Sequence, residues 1–464
     1  MVDRELLKEV LALALQRGGD FADIFVERRQ VTGIGCEDGK IERVNSGLDT
    51  GAGIRVLAGD ATAYAYTNEL SREGLLRAAE VAARAVNSGQ QQTIRDLTKT
   101  QAQVRFDIKK LPGDIPAEEK VALVQRADRA ARDVNRDAIK QVIAGYGDIV
   151  QDVIIANSEG VYVEDRRVRS RFVVNAVAAA NGVMQTGYEA IGGAKGFELF
   201  DQYDPEDAAV KAAQRATAML KAQPAPSGRM PVVLASEAGG TMVHEACGHG
   251  LEADLVQKEI SVYAGKRGQE VADESVTVID DATMDGKYGS YSFDDEGQPA
   301  HSVTLIEKGV LKDYLYDYLT ARRENRRSNG HGRRESYQHK PIPRMGNTYI
   351  APGKFDPEKV IKEAKEGLLV RKMGGGQVNT TTGDFVFEVA EGYLIEDGDI
   401  GPLVRGATLT GNGPEVLRKV SMLGKDLGFT IGTCGKDGQG VPVSDAQPTM
   451  LLGQRPEDSP IIVG

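Results

Sequence analysis

Apolar residues recur at helical spacing over residues 3–17, where Leu6, Leu7, Val10, Leu11, Leu13 and Leu15 make one stripe and predict an amphipathic helix. The pattern then shifts to alternation. Ala22 to Arg28 reads as a strand, and Gly53 to Gly59 with Ala61 to Asn68 reads as a hairpin because so little chain separates the two runs. Ser71 is a suitable N-cap with Glu73 in the first turn, and Leu75, Leu76, Ala79, Val81, Ala82 and Val86 form the expected buried face of the next helix. Residues 88–104 are polar and aperiodic, as a connection would be. A second unit opens with Pro116, Glu118 and Glu119 at the head of a helix running to about Ala131. It continues through alternating runs that turn at Asn157 to Gly160 and closes with a helix from Asp204 and Pro205 to about Lys221.

Gln223 to Gly228 holds two prolines and a glycine, which resist both helix and strand, and is the clearest boundary. Beyond it the alternating runs Val276 to Asp281, Ser302 to Asp317 and Gly383 to Gly398 dominate, with short helices signalled at Asp356–Pro357 and Gly413–Pro414. The expected class is α+β: N-terminal α/β units of short sheets and helices, then a larger strand-rich C-terminal domain that carries the metal-binding helix. The expected divisions are 1–100, 101–222 and 229–464.

Composition narrows this picture. With 464 residues, 41% hydrophobic and 27% charged, the chain is globular and long enough for two or three domains. No run approaches the roughly 20 apolar residues of a membrane span, and the first helix carries acids, unlike a signal peptide. Cys36, Cys247 and Cys434 are odd in number and far apart, which favours a reducing cytoplasm and leaves thiolates for a metal. A net charge of −11 argues against coating nucleic acid and leaves small molecules, peptides or proteins as partners.

The candidate chemistry lies in Val233 to Val256, VLASEAGGTMVHEACGHGLEADLV. The chain holds only five histidines, and two of them, His244 and His249, flank Glu245 within six residues. Zinc binds imidazole, thiolate and carboxylate and leaves a position for water in catalytic sites, where an adjacent glutamate takes the water's proton. In the common metallopeptidase helix the histidines are four apart. Here they are five apart, so a regular helix would turn them about 140° away from each other. The spacing therefore predicts a helix that breaks or bulges between Cys247 and Gly250, with Gly248 as the permissive position. A third ligand is wanted: Cys247 lies nearby, Cys434 lies between glycines after a strand-like run, and Glu252 is an acidic alternative. For the buried thiols, packing as small hydrophobes is the competing role.

The strings HEACGHG, GGQVNTTTGDFVFEVAEGYLIEDG (Gly375 to Gly398), NGHGRRESYQHKPIPRMGNTYI (Asn329 to Ile350) and GFTIGTCGKDGQGVPVSDAQPTMLLG (Gly428 to Gly453) resemble the TldD and PmbA family of metallopeptidases. The resemblance is to the TldD branch, which keeps the metal site. It implies His244, His249 and Cys434 as ligands of one zinc ion per chain and Glu245 as the catalytic base. It also implies a cytoplasmic peptidase that cleaves unfolded or leader peptides beside a PmbA-type partner subunit. A homodimer is the alternative, and the charge and the absence of a long apolar run point to neither nucleic acid nor membrane. The transition-state oxyanion needs further donors, for which His331, Tyr337 and His339 are candidates for substrate binding; His301 reads as structural. The competing reading is a non-catalytic regulatory or interaction protein with a structural metal, suggested by the six arginines of the island Ala321 to Ser336.

Overall fold

The structure, a computed structural model, describes residues 2–86 and 93–464. Its class is α+β, as expected. Helix α1 (Arg4–Leu15) is capped by Asp3 and buries Leu7, Val10, Leu11, Ala14 and Leu15. Helix α2 (Arg72–Arg84) is capped by the Ser71 side chain, and its buried face is Leu75, Ala78, Ala79, Ala82 and Ala83. Val81, expected on that face, is 59% exposed, because the stripe is narrower than its apolar residues suggest. Of the expected connection at 88–104, residues 88–92 lie outside the described residues; the rest includes one short strand, Thr98–Lys99, against Val161–Tyr162.

The N-terminal half is built on one long antiparallel sheet rather than short ones. Its strands β1 (Phe21–Glu37), β2 (Lys40–Ala58), β3 (Ala61–Thr67), β4 (Ile139–Asn157), β5 (Val161–Ala180) and β6 (Val183–Gly193) lie in the order β3-β2-β1-β4-β5-β6. The β1–β4 ladder, from Asp23 opposite Asn157 to Glu37 opposite Ile143, joins strands from both expected N-terminal units. Strands alternate their side chains, so one face takes Ile24 and Val26 under α1 and α2, while Ile34, Val142 and Ala144 lie under α3 (Ala117–Val134) and α4 (Pro205–Met219). The opposite face sends Phe25, Val153, Ile155 and Val163 against Phe293 and Tyr337 of the C-terminal half. In the same interface Arg55 of β2 is buried between Asp23 and Glu296, with Glu296 Oε1 2.7 Å from its Nη2.

The C-terminal half holds two large sheets with the histidine helix between them, and a two-stranded ribbon pairing Gly332–Arg333 with Ile342–Pro343. In the larger, β7 (Val232–Leu234) runs parallel to β11 (Gly367–Val378) and antiparallel to β15 (Met450–Leu452), and β12 (Asp384–Glu396) continues outward from β11. The smaller contains β8 (Val278–Asp281), β9 (Ser302–Glu307), β10 (Asn347–Ile350), β13 (Gly428–Lys436) and β14 (Gln439–Gln447), in the order β9-β8-β10-β14-β13. Strand β13 is its edge. Met242, Val243, Ala246, Cys247 and Leu251 fill the core between the two sheets with Leu234, Phe385, Val441 and Val443. The segment Gln223 to Gly228 is not strand-free: Gln223–Pro224 lies beside Val404–Arg405, and Gly228–Arg229 beside Ile462–Val463. Both contacts are very short, where a proline's missing N–H is tolerated.

Candidate metal centre

Strand β7 delivers the chain to a close approach between the histidine helix and the hairpin β13–β14. Gly239 takes a positive φ of 73°, and a Cβ there would fall 2.1 Å from Thr430 Cγ2; a Cβ on Gly240 would fall 2.1 Å from the amide of Ala446. Only glycine permits both contacts. The amide of Gly240 then donates to the Asp445 carbonyl at 3.1 Å, and the helix starts at Thr241. This docking places the first histidine over the side chain of Asp445.

The helix neither ends nor breaks at Gly248. His244–Gly248 winds as a π-turn closed by the His249 amide on the His244 carbonyl, and a 3₁₀ turn, His249–Leu251, follows. An i→i+5 turn brings residues five apart back to one side, which resolves the spacing of the histidines. The Tyr263 hydroxyl donates to the Ala246 carbonyl at 3.0 Å and satisfies an acceptor that the widened turn leaves over. Gly248 itself has ordinary right-handed angles, φ −53° and ψ −58°. What requires glycine is space: a Cβ there would lie 2.2 Å from Met345 Sδ.

The two imidazole rings meet edge to face, with centroids 4.9 Å apart and planes at 89°. Cys434 reaches them from β13, its Sγ 3.5 Å from His249 Nε2, and one ligand atom from each of the three residues fits within 4.8 Å. A tetrahedral zinc with ordinary bond lengths separates N and S ligands by about 3.6 Å. The remaining ring nitrogens are occupied: His244 Nδ1 lies 2.8 Å from Asp445 Oδ1, and His249 Nδ1 lies 3.1 Å from Glu252 Oε2. Each carboxylate fixes a tautomer that frees Nε2, the arrangement metal-binding histidines commonly show. The donor set and its bracing thus fit a divalent ion such as zinc.

Of the other candidates, Cys247 is fully buried and its Sγ donates to the Val243 carbonyl at 3.4 Å, outside the cluster. Glu252 bonds a histidine instead of joining the three-residue group. His331 is wholly buried, with Nδ1 3.0 Å from the Asn329 carbonyl and Nε2 3.1 Å from Asp280 Oδ1. Tyr337 is buried against β2, where a Cβ on Gly51 would meet its ring at 2.2 Å. His339 is half-buried beside Ser336 Oγ at 3.1 Å. In the arginine island, Arg322, Arg323 and Arg326 pair with Asp20, Asp60 and Asp313, while Arg333 and Arg334 are buried.

Three family models together match most of the chain. Residues 22–86 match PmbA/TldA metallopeptidase domain 1, residues 110–220 the central domain and residues 227–454 the C-terminal domain. A metalloprotease of Methanocaldococcus jannaschii is 36% identical, covering 96% of this chain and 97% of its own. A metalloprotease TldD homolog of Haemophilus influenzae is 35% identical, covering 97% of this chain and 95% of its own. The chain belongs to the TldD/PmbA metallopeptidase family. It falls in the TldD branch and is a metallopeptidase.

Solved structures share the fold of this TldD-branch chain. A Thermotoga maritima protein described as a modulator of a DNA gyrase superposes with a TM-score of 0.81 at 22% identity, covering 99% of both chains. TldE from Thermococcus kodakarensis gives 0.74 at 20% identity, covering 97% of this chain and 100% of its own. A Saccharolobus solfataricus relative, named a zinc metalloprotease TldD homolog, is 33% identical, covering 54% of this chain and 56% of its own.

The electrostatics of the TldD-branch site suit a metal that displaces protons. Burial opposes charge on both histidines, but Asp445 and Cys434 raise His244 well above its ordinary value, and Glu252 and Cys434 lift His249 to about 9. Burial likewise opposes a Cys434 thiolate, yet the two histidines bring its pKa down to about 5. Thiolate and imidazolium together make the proton-loaded form of a ligand set, and a divalent ion takes the place of those protons. Behind them Lys436 Nζ lies 2.6 Å from Asp254 Oδ1 and 3.1 Å from Glu252 Oε2, while Arg344 donates to the Cys434 carbonyl. Asp445 and Lys436 went unnoticed in the sequence although both stand in the Cys434 segment, because no spacing rule ties them to His244 or Glu252.

Proposed function

We propose that the chain is a zinc-dependent peptidase in which His244, His249 and Cys434 hold the ion and Glu245 is the general base. The convergence of two histidines from the π-turn with Cys434, with Glu245 beside His244, is the observation that carries this reading. The name of the Saccharolobus solfataricus relative supports zinc. When bound, the ion supplies the Lewis acidity that polarises the scissile carbonyl and acidifies the attacking water.

The chain's own groups do the rest. Asp445 and Glu252 hold the two rings through Nδ1, so Nε2 of each is turned inward. Burial raises the pKa of Glu245, against the lowering effect of His244 and His249. A carboxylate with a raised pKa accepts the water proton and gives it up again to the departing amine, which suits both halves of the reaction. His339, still partly exposed, is the remaining polar candidate to meet substrate.

The substrates proposed are unfolded or leader peptides. Strand β13 carries Cys434 at the free edge of its sheet, so an extended peptide can pair with it through backbone hydrogen bonds and with little dependence on side chains. Peptides with N-methylated backbones should then be cleaved poorly. The likeness to TldE supports a TldE- or PmbA-type partner subunit, and no described helix is long and apolar enough to cross a membrane. A cytoplasmic location and the division into 1–100, 101–222 and 229–464 belong to the same proposal.

Metal analysis and peptide cleavage, with and without a partner subunit, test this reading. Glu245→Gln should retain zinc and lose hydrolysis, and Cys434→Ser should lose both. Hydrolysis by Glu245→Gln at the wild-type rate would overturn the mechanism.

A further inference from the structure

The sheet face turned toward the C-terminal half is left open at its outer end. There a cavity of about 640 Å³ lies between strands β1, β4 and β5 and the hairpin β13–β14. Its floor includes Gly33 of β1 and Gly145 and Gly147 of β4, with Gly33 directly opposite Gly147. A Cβ on Gly33 would meet nothing within 4 Å. The strand backbone is therefore bare at Gly33, while the Arg171 side chain lies over Gly147, its Nε 3.3 Å from where a Cβ would stand.

Arginines wall this floor. Arg29, Arg43, Arg169 and Arg171 all line the cavity. Arg169 is only 8% exposed, and its Nε and Nη2 donate to the carbonyls of Tyr288 and Ser290 at 2.9 and 2.7 Å. Among the described residues it forms no ion pair; burial and the nearby guanidiniums of Arg333 and Arg167 depress its pKa to about 10. A buried guanidinium without a counter-ion is costly, and an anion at that point offsets the cost. The acids in the lining are already engaged: Glu335 Oε2 accepts the Gly440 amide at 2.6 Å, and Asp148 Oδ2 accepts Lys120 Nζ at 2.9 Å and the Tyr146 hydroxyl at 2.7 Å.

The opposite wall is the catalytic hairpin itself, through Thr433, Gly440 and Pro442. Thr433 precedes Cys434, and strand alternation sends the two side chains to opposite faces. A chain lying in the cavity therefore rounds the free edge of β13 before it reaches the metal ligands.

We propose that this cavity is a carboxylate-recognising subsite for the peptide substrate: an extended segment lies on the glycine floor, and its carboxylate is held by Arg169 together with Arg43 and Arg171. The inference rests on the peptidase reading above and adds a substrate class, peptides with negative charge several residues from the bond cleaved. The carboxylate comes either from an Asp or Glu side chain or from the peptide's C-terminus.

Binding of unlabelled, N-acetylated unstructured peptides to the Glu245→Gln chain, read by isothermal titration calorimetry, tests this without turnover. One sequence is used in four forms: acidic with a free C-terminus, acidic and amidated, Asn/Gln-substituted with a free C-terminus, and fully neutral. Charged forms should bind roughly tenfold or more tightly than the neutral form, as charge-assisted hydrogen bonds imply. The drop between forms identifies the carboxylate's source. Adding Arg43→Gln and Arg171→Gln, both at exposed positions, should remove most of that advantage. Equal binding of all four forms, or an advantage that survives the arginine changes, overturns the subsite. Charge-dependent binding with no cleavage by the wild-type chain, with or without a partner subunit, would keep the subsite and overturn the peptidase reading, and cleavage indifferent to charge would do the reverse.

Discussion

Asp445 Oδ1 lies 2.8 Å from Nδ1 of His244, although the two residues are 201 positions apart. The contact exists because Gly240 lets the helix start press on the backbone of β14 at Asp445 and Ala446. A carboxylate at this place fixes the ring's tautomer and raises its basicity. Asp445→Asn should therefore lower zinc affinity roughly 10- to 100-fold, as measured by competition with a chelator; unchanged affinity would show that the carboxylate has no part in holding the ion.

Gly248 is required by its neighbour and not by its backbone. Gly248→Ala should destabilise the chain by about 1–3 kcal/mol, because the added methyl overlaps Met345 Sδ in a packed core. In chemical denaturation, combining it with Met345→Ala should cost clearly less than the sum of the two single changes. Strict additivity would remove the steric explanation.

The three cysteines should separate by reactivity once the metal is removed. Burial pushes Cys247 up to about 12, and burial also raises Cys36, whereas Cys434 stands near 5. A depressed thiol keeps its thiolate as pH falls from 8 to 6 and loses it only as pH passes through about 5. Mass spectrometry after brief iodoacetamide treatment of the folded, chelated protein should find label at Cys434 alone. Added zinc should prevent it; preferential labelling of Cys247 would contradict the assignment.

Arg55 ties the two halves of the molecule. Replacing it by Met leaves Asp23 and Glu296 buried without their cation, which costs roughly 3–5 kcal/mol for a broken buried pair. Urea denaturation should show a loss of that size, and limited proteolysis should speed up at the interface. A change below about 1 kcal/mol, typical of surface ion pairs, would mean that the site is wetter than its burial indicates.

The sequence was most legible where periodicity or spacing has a mechanical reading. The caps at Ser71 and Asp204 and the hairpin turn at Asn157 are all present. The five-residue spacing of His244 and His249 demanded a distorted helix, and the π-turn supplies one. Gly248 was misread because a glycine's backbone freedom is a local property, whereas its contact with Met345 is set by chain about a hundred residues away. The outer half of β2 was unreadable for another reason. Residues Glu42 to Asp49 are exposed and do not alternate, and the backbone ladder to β1 holds them in place. The bracing carboxylates Asp445 and Glu252 carry no pattern of their own; only the folded approach of β14 and the 3₁₀ turn gives them their role.

Cys434 follows His249 by 185 residues. On the ribosome the histidine pair is therefore finished long before its thiolate partner, and the strand that carries the thiolate enters the sheet only at its edge. If His244, His249 and Cys434 hold the ion as proposed, a nascent chain stalled before β13 would carry two imidazoles and no third ligand, and metal capture would report that the last ligand strand had been made.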